Sequence, residues 1–285
     1  MKKHYALILI LSLLTAHAVR ATEPDYSDAP INLFDGKYAM FTELADSLYK
    51  CGEITKAIEA TDSALRVSPA NPLNAMLQVN AAAMLVETDR PLEALARLDI
   101  AHNIVPTSTT VLQRRAEILM SLDRNEEALS DLSLLLEIDS CLIEPRLKRG
   151  MLSLYNGNYE QAKSDFDTLN RLAPDNIATA TGYAVYYLQT DELAQAKQWL
   201  SIIIDAEPDA DYYSMRAYCN LQLNLLPEAG QDIASAMKLN PNDPFLYLYR
   251  ARLNKLLYQY DKARADAKTA MTMGVDREVI KKFLE

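Results

Sequence analysis

Proton transfer and nucleophilic attack need a histidine, an activated thiol or a pair of carboxylates kept from water, and this sequence carries little of that material. Beyond residue 21 the chain holds one histidine, His102, so a nucleophile–histidine–acid triad or a histidine-rich metal site has almost nothing to be built from. Cys51, Cys141 and Cys219 stand 90 and 78 residues apart. Each is expected as a small apolar core residue, too distant from the others for a disulfide, whose Cα atoms must lie within about 7 Å. Seven glycines in 285 residues, with no GxGxxG or GxxxxGK[ST] run, remove phosphate-cradling loops. Acidic neighbours such as Glu126 and Glu127 read as solvent-facing turn residues. The expectation is no cofactor, no metal and no enzymatic activity.

One charged constellation does recur. An arginine is followed sixteen residues later by an aspartate four times over: Arg115 and Asp131, Arg149 and Asp165, Arg216 and Asp232, Arg250 and Asp266. At the equivalent places elsewhere both partners are missing together, replaced by Leu44 and Ala60, Ala81 and Arg97, or Tyr183 and Trp199. Arginine and carboxylate that come and go as a pair predict a bidentate ion bridge across two facing helices, with a structural rather than a ligand-binding role.

The elements that would hold such bridges are legible from small residues. An alanine recurs at Ala57, Ala94, Ala128, Ala162, Ala196, Ala229 and Ala263, at intervals of 37, 34, 34, 34, 33 and 34 residues. Twelve residues before each stands a second small residue: Ala45, Ala82, Ala116, Gly150, Ala184, Ala217 and Ala251. Small residues in mid-helix let two helices approach closely, so the two columns mark the contact inside an antiparallel pair. Four residues after the alanine comes Leu98, Leu132, Phe166, Leu200 or Ile233, and twelve after it Pro69, Pro106, Pro174, Pro208 or Pro241, which ends the second helix.

This pattern resembles the tetratricopeptide repeat, a 34-residue helical hairpin of small, aromatic and alanine positions closed by proline. The family's tryptophan near the start of the first helix is absent; Phe41, Leu112, Tyr213 or Tyr247 takes that place. The resemblance implies an all-α fold, a right-handed solenoid of about seven helix-turn-helix repeats over residues 38–275. A polar lead-in at 22–37 precedes them, and a short charged capping helix at 276–285 shields the last apolar face. It also implies that first helices line a concave groove and that the protein is a non-catalytic scaffold for another protein or an extended peptide. The groove positions hold Arg114, Glu117, Lys148, Met151, Tyr155, Val185, Tyr218, Phe245, Tyr249 and Arg252, and Tyr218, Tyr249 and Arg252 form the expected anchor cluster. The rival expectation is a structural or envelope-assembly subunit that associates with itself or with other chains through an edge or convex face.

Lys2 and Lys3 precede an apolar run from Tyr5 to Leu14 and the small-residue sites Ala16-His17-Ala18 and Val19-Arg20-Ala21. Residues 1–21 therefore read as a secretory leader, and the chain as exported, periplasmic or secreted. The apolar run is about half of the roughly 20 residues that cross a bilayer, so no transmembrane span is expected after cleavage. Without Lys2, Lys3 and Arg20 the 29 basic residues fall to 26 against 39 acids. Nucleic acid is an unsuitable partner for such a chain.

Overall fold

A computed structural model of the chain describes residues 36–284. The predicted leader at 1–21 and nearly all of the predicted lead-in lie outside the described residues. The first helix, α1 (Gly36–Lys50), begins two residues before the expected start of the repeats. Then follow α2 (Ile54–Val67), α3 (Asn74–Glu87), α4 (Pro91–Ile104), α5 (Thr109–Ser121), α6 (Asn125–Ile138) and α7 (Ile143–Tyr155). The chain continues through α8 (Tyr159–Leu172), α9 (Ile177–Gln189), α10 (Leu193–Ala206), α11 (Ala210–Gln222), α12 (Leu226–Leu239), α13 (Pro244–Leu256), α14 (Tyr260–Thr272) and α15 (Arg277–Leu284). Among the described residues there is no strand, and no helix is long and apolar enough to cross a membrane. The fold is a solenoid of helical hairpins, α1 with α2 through α13 with α14, ending in the short helix α15.

Each hairpin closes in one way. The first residue of the turn to adopt a left-handed backbone is Gly52, Asp89, Asp123, Gly157, Asp191, Asn224 or Tyr258, and the N–H just after it donates to the carbonyl five residues earlier. These bonds, such as Glu53 N to Leu48 O and Asn158 N to Ser153 O, measure 2.7–2.9 Å in all seven turns. They satisfy the orphan carbonyls at the end of the first helix and reverse the chain within three residues. First helices start with side-chain caps at several junctions: Ser108, Asn176, Asp209 and Asp243 accept from backbone N–H groups two or three residues on.

The chain divides into two compact units, and the division falls within α7, at Gly150. In the N-terminal unit, residues 36–149, the small columns are buried: Ala45, Ala57, Ala82, Ala94, Ala116 and Ala128 are at most 6% exposed. In the C-terminal unit, from Gly150 onward, Ala162, Ala184, Ala196, Ala217, Ala229, Ala251 and Ala263 are buried likewise. The larger residues one turn on, Leu98, Leu132, Phe166, Leu200 and Ile233, are all but fully buried, each contributing about 1.5–3 kcal/mol of apolar burial. In the last unit α15 packs on α13, with Ile280 and Phe283 joining the core of Leu246, Leu248 and Tyr249.

Phe166 shows what the small residues are for. Its ring lies between α7 and α9, and a Cβ built on Gly150 would come within 2.6 Å of it, one on Gly182 within 2.5 Å. Gly150 belongs to the predicted column; Gly182 lies two residues before it and carries no periodic signal. The cysteines depart from expectation. Cys219 is buried, but Cys51 and Cys141 are exposed, because Cys51 opens the first hairpin turn and Cys141 lies in the connection before α7. Replacing Gly182 by alanine should overpack this site and cost about 1–3 kcal/mol, read from the urea midpoint. Partial recovery in a Gly182→Ala, Phe166→Leu double variant is expected, and an unchanged midpoint in the single variant contradicts the packing.

Candidate functional site

The recurrent ion pairs form inside the hairpins. Arg115 donates from Nε and Nη2 to Asp131 Oδ2 and Oδ1 at 2.7 and 2.6 Å. Arg216 reaches Asp232 the same way at 3.0 and 2.7 Å, and Arg250 reaches Asp266 at 3.0 and 2.6 Å. The aspartates are buried, and hydrogen bonding to them raises the pKa of each arginine further, so each guanidinium stays charged. Asp165 is buried on α8 and accepts from Gln161 Nε2 at 3.3 Å.

Each arginine also reaches back to the second helix of the preceding hairpin: Arg115 to Asp99, Arg149 to Ser133 Oγ and Arg216 to Ser201 Oγ, at 3.3, 3.4 and 3.0 Å. The sixteen-residue spacing announced the bridge within a hairpin, but not this second bond. Asn220 and Asn254, one turn after Arg216 and Arg250, donate to the same aspartates at 2.9 Å. At the position of the missing pairs, Tyr183 stacks on Trp199 with ring centroids 4.7 Å apart and donates its hydroxyl to Asp167 Oδ1 at 2.6 Å. Arg97, standing where an aspartate would be, turns to Asp62 at 2.7 Å.

On the first-helix face of the N-terminal unit, three predicted groove residues form one network. Lys148 Nζ lies 2.8 Å from Glu117 Oε1 and 2.8 Å from Glu144 Oε1, and Arg114 lies 3.5 Å from Glu117. Burial alone would depress the Lys148 pKa, but the Glu117 and Glu144 carboxylates outweigh it and raise it above the ordinary value. Arg114 and Glu117 also border a small apolar notch whose other walls include Val79, Ala83, Val86 and Ile118. The notch, about 20 Å³, has room for a methyl-sized apolar group beside the charged network.

In the C-terminal unit several predicted groove residues are covered. Met151, Val185 and Tyr249 are buried to 2% exposure or less. Tyr249 lies between Tyr218, at 6.2 Å between ring centroids, and Phe283 of α15, at 5.5 Å. Arg252 sits over the Phe283 ring at 5.8 Å and donates to the Phe283 carbonyl, and Lys255 donates to the Leu284 carbonyl. Thus α15 occupies the expected anchor cluster, and two cations cap its C-terminal carbonyls, where the helix dipole is negative. Tyr155, Tyr218 and Phe245 are half-buried; burial, with Asp191 nearby, pushes the Tyr218 phenol up to about 12. Burial likewise pushes the Cys219 thiol up to about 12, which leaves it an unreactive thiol at neutral pH. No group of three or more potential metal ligands converges among the described residues. A wider cleft of about 530 Å³ runs along α8 beside Tyr186, with Lys163 donating to both Asp167 oxygens at 3.1 and 2.9 Å; nothing in the repeat pattern foretold it.

Stacked hairpins with paired small-residue columns define a tetratricopeptide-type solenoid, a fold that serves in general as a protein-interaction scaffold. Residues 153–219 match a family model described as tetratricopeptide repeat. The chain is 26% identical to a tetratricopeptide repeat protein of Parabacteroides merdae, whose crystal structure aligns over 88% of this chain and 98% of that one with a TM-score of 0.69. Pseudomonas aeruginosa pilF is similar in fold, with 18% identity over 75% of this chain and 97% of its own, at a TM-score of 0.59. DnaJ homolog subfamily C member 3 of Bos taurus is 23% identical over 184 residues, 59% of this chain. The match spans 36% of the length of that curated relative.

The burial of Tyr249 has a measurable consequence. Tyr249→Ala should lower unfolding stability by about 3–5 kcal/mol, as truncation of a buried aromatic does, and Tyr218→Ala should cost less because its ring is half-buried. Guanidinium titrations of both variants read this directly. A Tyr249→Ala protein as stable as the parent contradicts the placement of α15.

Proposed function

We propose that the protein is an exported, non-catalytic adaptor of the cell envelope that holds a protein or an extended peptide against its first helices. Export is supported by the leader-like pattern of residues 1–21. The observation that carries the binding reading is the apolar notch beside the Arg114, Glu117 and Lys148 network on α3, α5 and α7. Interface energy concentrates where a few side chains enter desolvated pockets ringed by polar groups, and this face offers that combination. With Tyr249 and Arg252 engaged by α15, the binding reading rests on the N-terminal unit rather than on the tyrosines of the C-terminal one.

A test is to fill the notch with charge. Ala83→Arg should leave the far-ultraviolet circular dichroism and melting midpoint nearly unchanged. Capture of at least one envelope protein, quantified by mass spectrometry against the parent, should fall about tenfold, the equivalent of roughly 1.4 kcal/mol. Undiminished capture of every partner overturns the groove reading. A second reading, self-association, is favoured by Met40 and Leu44, which stand exposed one turn apart on α1. Sedimentation velocity separates the two: a dimer dispersed by Leu44→Glu supports self-association, and a monomer at all concentrations removes it.

A further inference from the structure

The seven hairpin turns share one geometry and differ in one side chain. Six place Gly52, Asp89, Asp123, Gly157, Asp191 or Asn224 in the left-handed region, residue types that tolerate it. The seventh uses Tyr258, at φ 60°, and leaves it 80% exposed. A bulky residue in that conformation is strained. The same turn exposes Leu257 and Tyr260, and the two tyrosine rings meet edge to face at 6.4 Å. An aromatic pair that is strained and exposed gains little within the chain, so its benefit lies outside it.

Charge changes sign at the same end. Residues 36–245 carry 17 lysines and arginines against 30 acids, whereas residues 246–285 carry nine against five. The exposed cations Lys262 and Arg264 follow the tyrosines on the first turns of α14. The end of α15 meets α13 at Arg252 and Lys255, and Lys281 on α15 is exposed. The Arg264 contact with Asp261 is 3.4 Å long between two largely solvated side chains and does little to neutralise the tip.

We propose that this tip docks on an anionic lipid bilayer, with Tyr258, Tyr260 and Leu257 in the interfacial layer and Lys262 and Arg264 facing the headgroup phosphates. Tyrosine suits that layer because its ring is apolar and its hydroxyl wet, and cations near an anionic surface add attraction that falls within a Debye length. A tip bearing exposed rings and cations matches an anionic interface in charge and polarity. The proposal stands apart from the groove on α3, α5 and α7 and does not depend on it.

The test uses the chain from Thr22, which keeps every described residue, and co-sedimentation with vesicles of equal phosphatidylglycerol and phosphatidylcholine or of phosphatidylcholine alone. Binding is expected to the anionic vesicles only and to weaken with added salt. Tyr258→Gly should raise the melting midpoint, by relieving the strained turn, while reducing vesicle binding. Lys262→Glu should reduce binding about fivefold or more, the effect expected for one cation near a charged surface. Binding that ignores phosphatidylglycerol content, or that survives both substitutions, overturns the proposal. So does a lower melting midpoint for Tyr258→Gly, which would assign the ring to the fold. Failure on vesicles with retained binding to polyglutamate would move the tip to an acidic protein partner and also overturn it.

Discussion

A buried carboxylate needs a cation, and the geometry of several hairpins follows from that need. Asp131, Asp232 and Asp266 are removed from water on second helices, where an uncompensated charge is expensive. The arginine that answers each one stands sixteen residues earlier, on the first helix, and its planar fork meets the carboxylate with two bonds. A slip of one residue along either helix would carry the fork off the carboxylate, so the pair fixes register. The remaining arginine nitrogen reaches the preceding hairpin, and one side chain then ties three helices.

The bridge works only because the helices already lie close. Alanines of the two columns let the backbones approach, and the residue one turn on fills the remaining space, most tightly at Phe166 between Gly150 and Gly182. At two of the three places where the ion pair is missing, other groups occupy the slot. Tyr183 and Trp199 stack in it, with Tyr183 hydrogen-bonded to Asp167, and Arg97 finds its acid in Asp62. The first replacement is aromatic and the second is another ion pair, so the slot accepts more than one chemistry.

The columns, the hairpin boundaries and the arginine–aspartate spacing were readable because each repeats, and repetition separates packing from chance. What a single repeat does differently was not readable. Gly182 lies outside the period, yet it faces Phe166 as closely as Gly150 does. The 34-residue period says that Tyr249 is equivalent to Met215, but not that α15 will lie over it, because α15 has no counterpart among the earlier hairpins. Met151 and Val185 are buried, which the repeat could not announce for a related reason: a period identifies equivalent positions without saying which neighbour covers them. Cys51 and Cys141 were misplaced because hydropathy gives a cysteine no preference between a turn and a core.

The scaffold reading and the ion-pair account meet in one requirement, that hairpins hold their register while the first-helix face is left free to bind. A double-mutant cycle on Arg216 and Asp232, followed by urea unfolding, tests this most directly. Arg216→Ala should be the costlier single change, about 3–5 kcal/mol, because it strands a buried carboxylate. Asp232→Ala should cost less, because the arginine side chain keeps 20% of its surface in water. The double variant should then be no worse than Arg216→Ala alone, a coupling of about 1–3 kcal/mol. Additive costs, or a larger loss from Asp232→Ala than from Arg216→Ala, would contradict the claim that the buried aspartate sets the register of these hairpins.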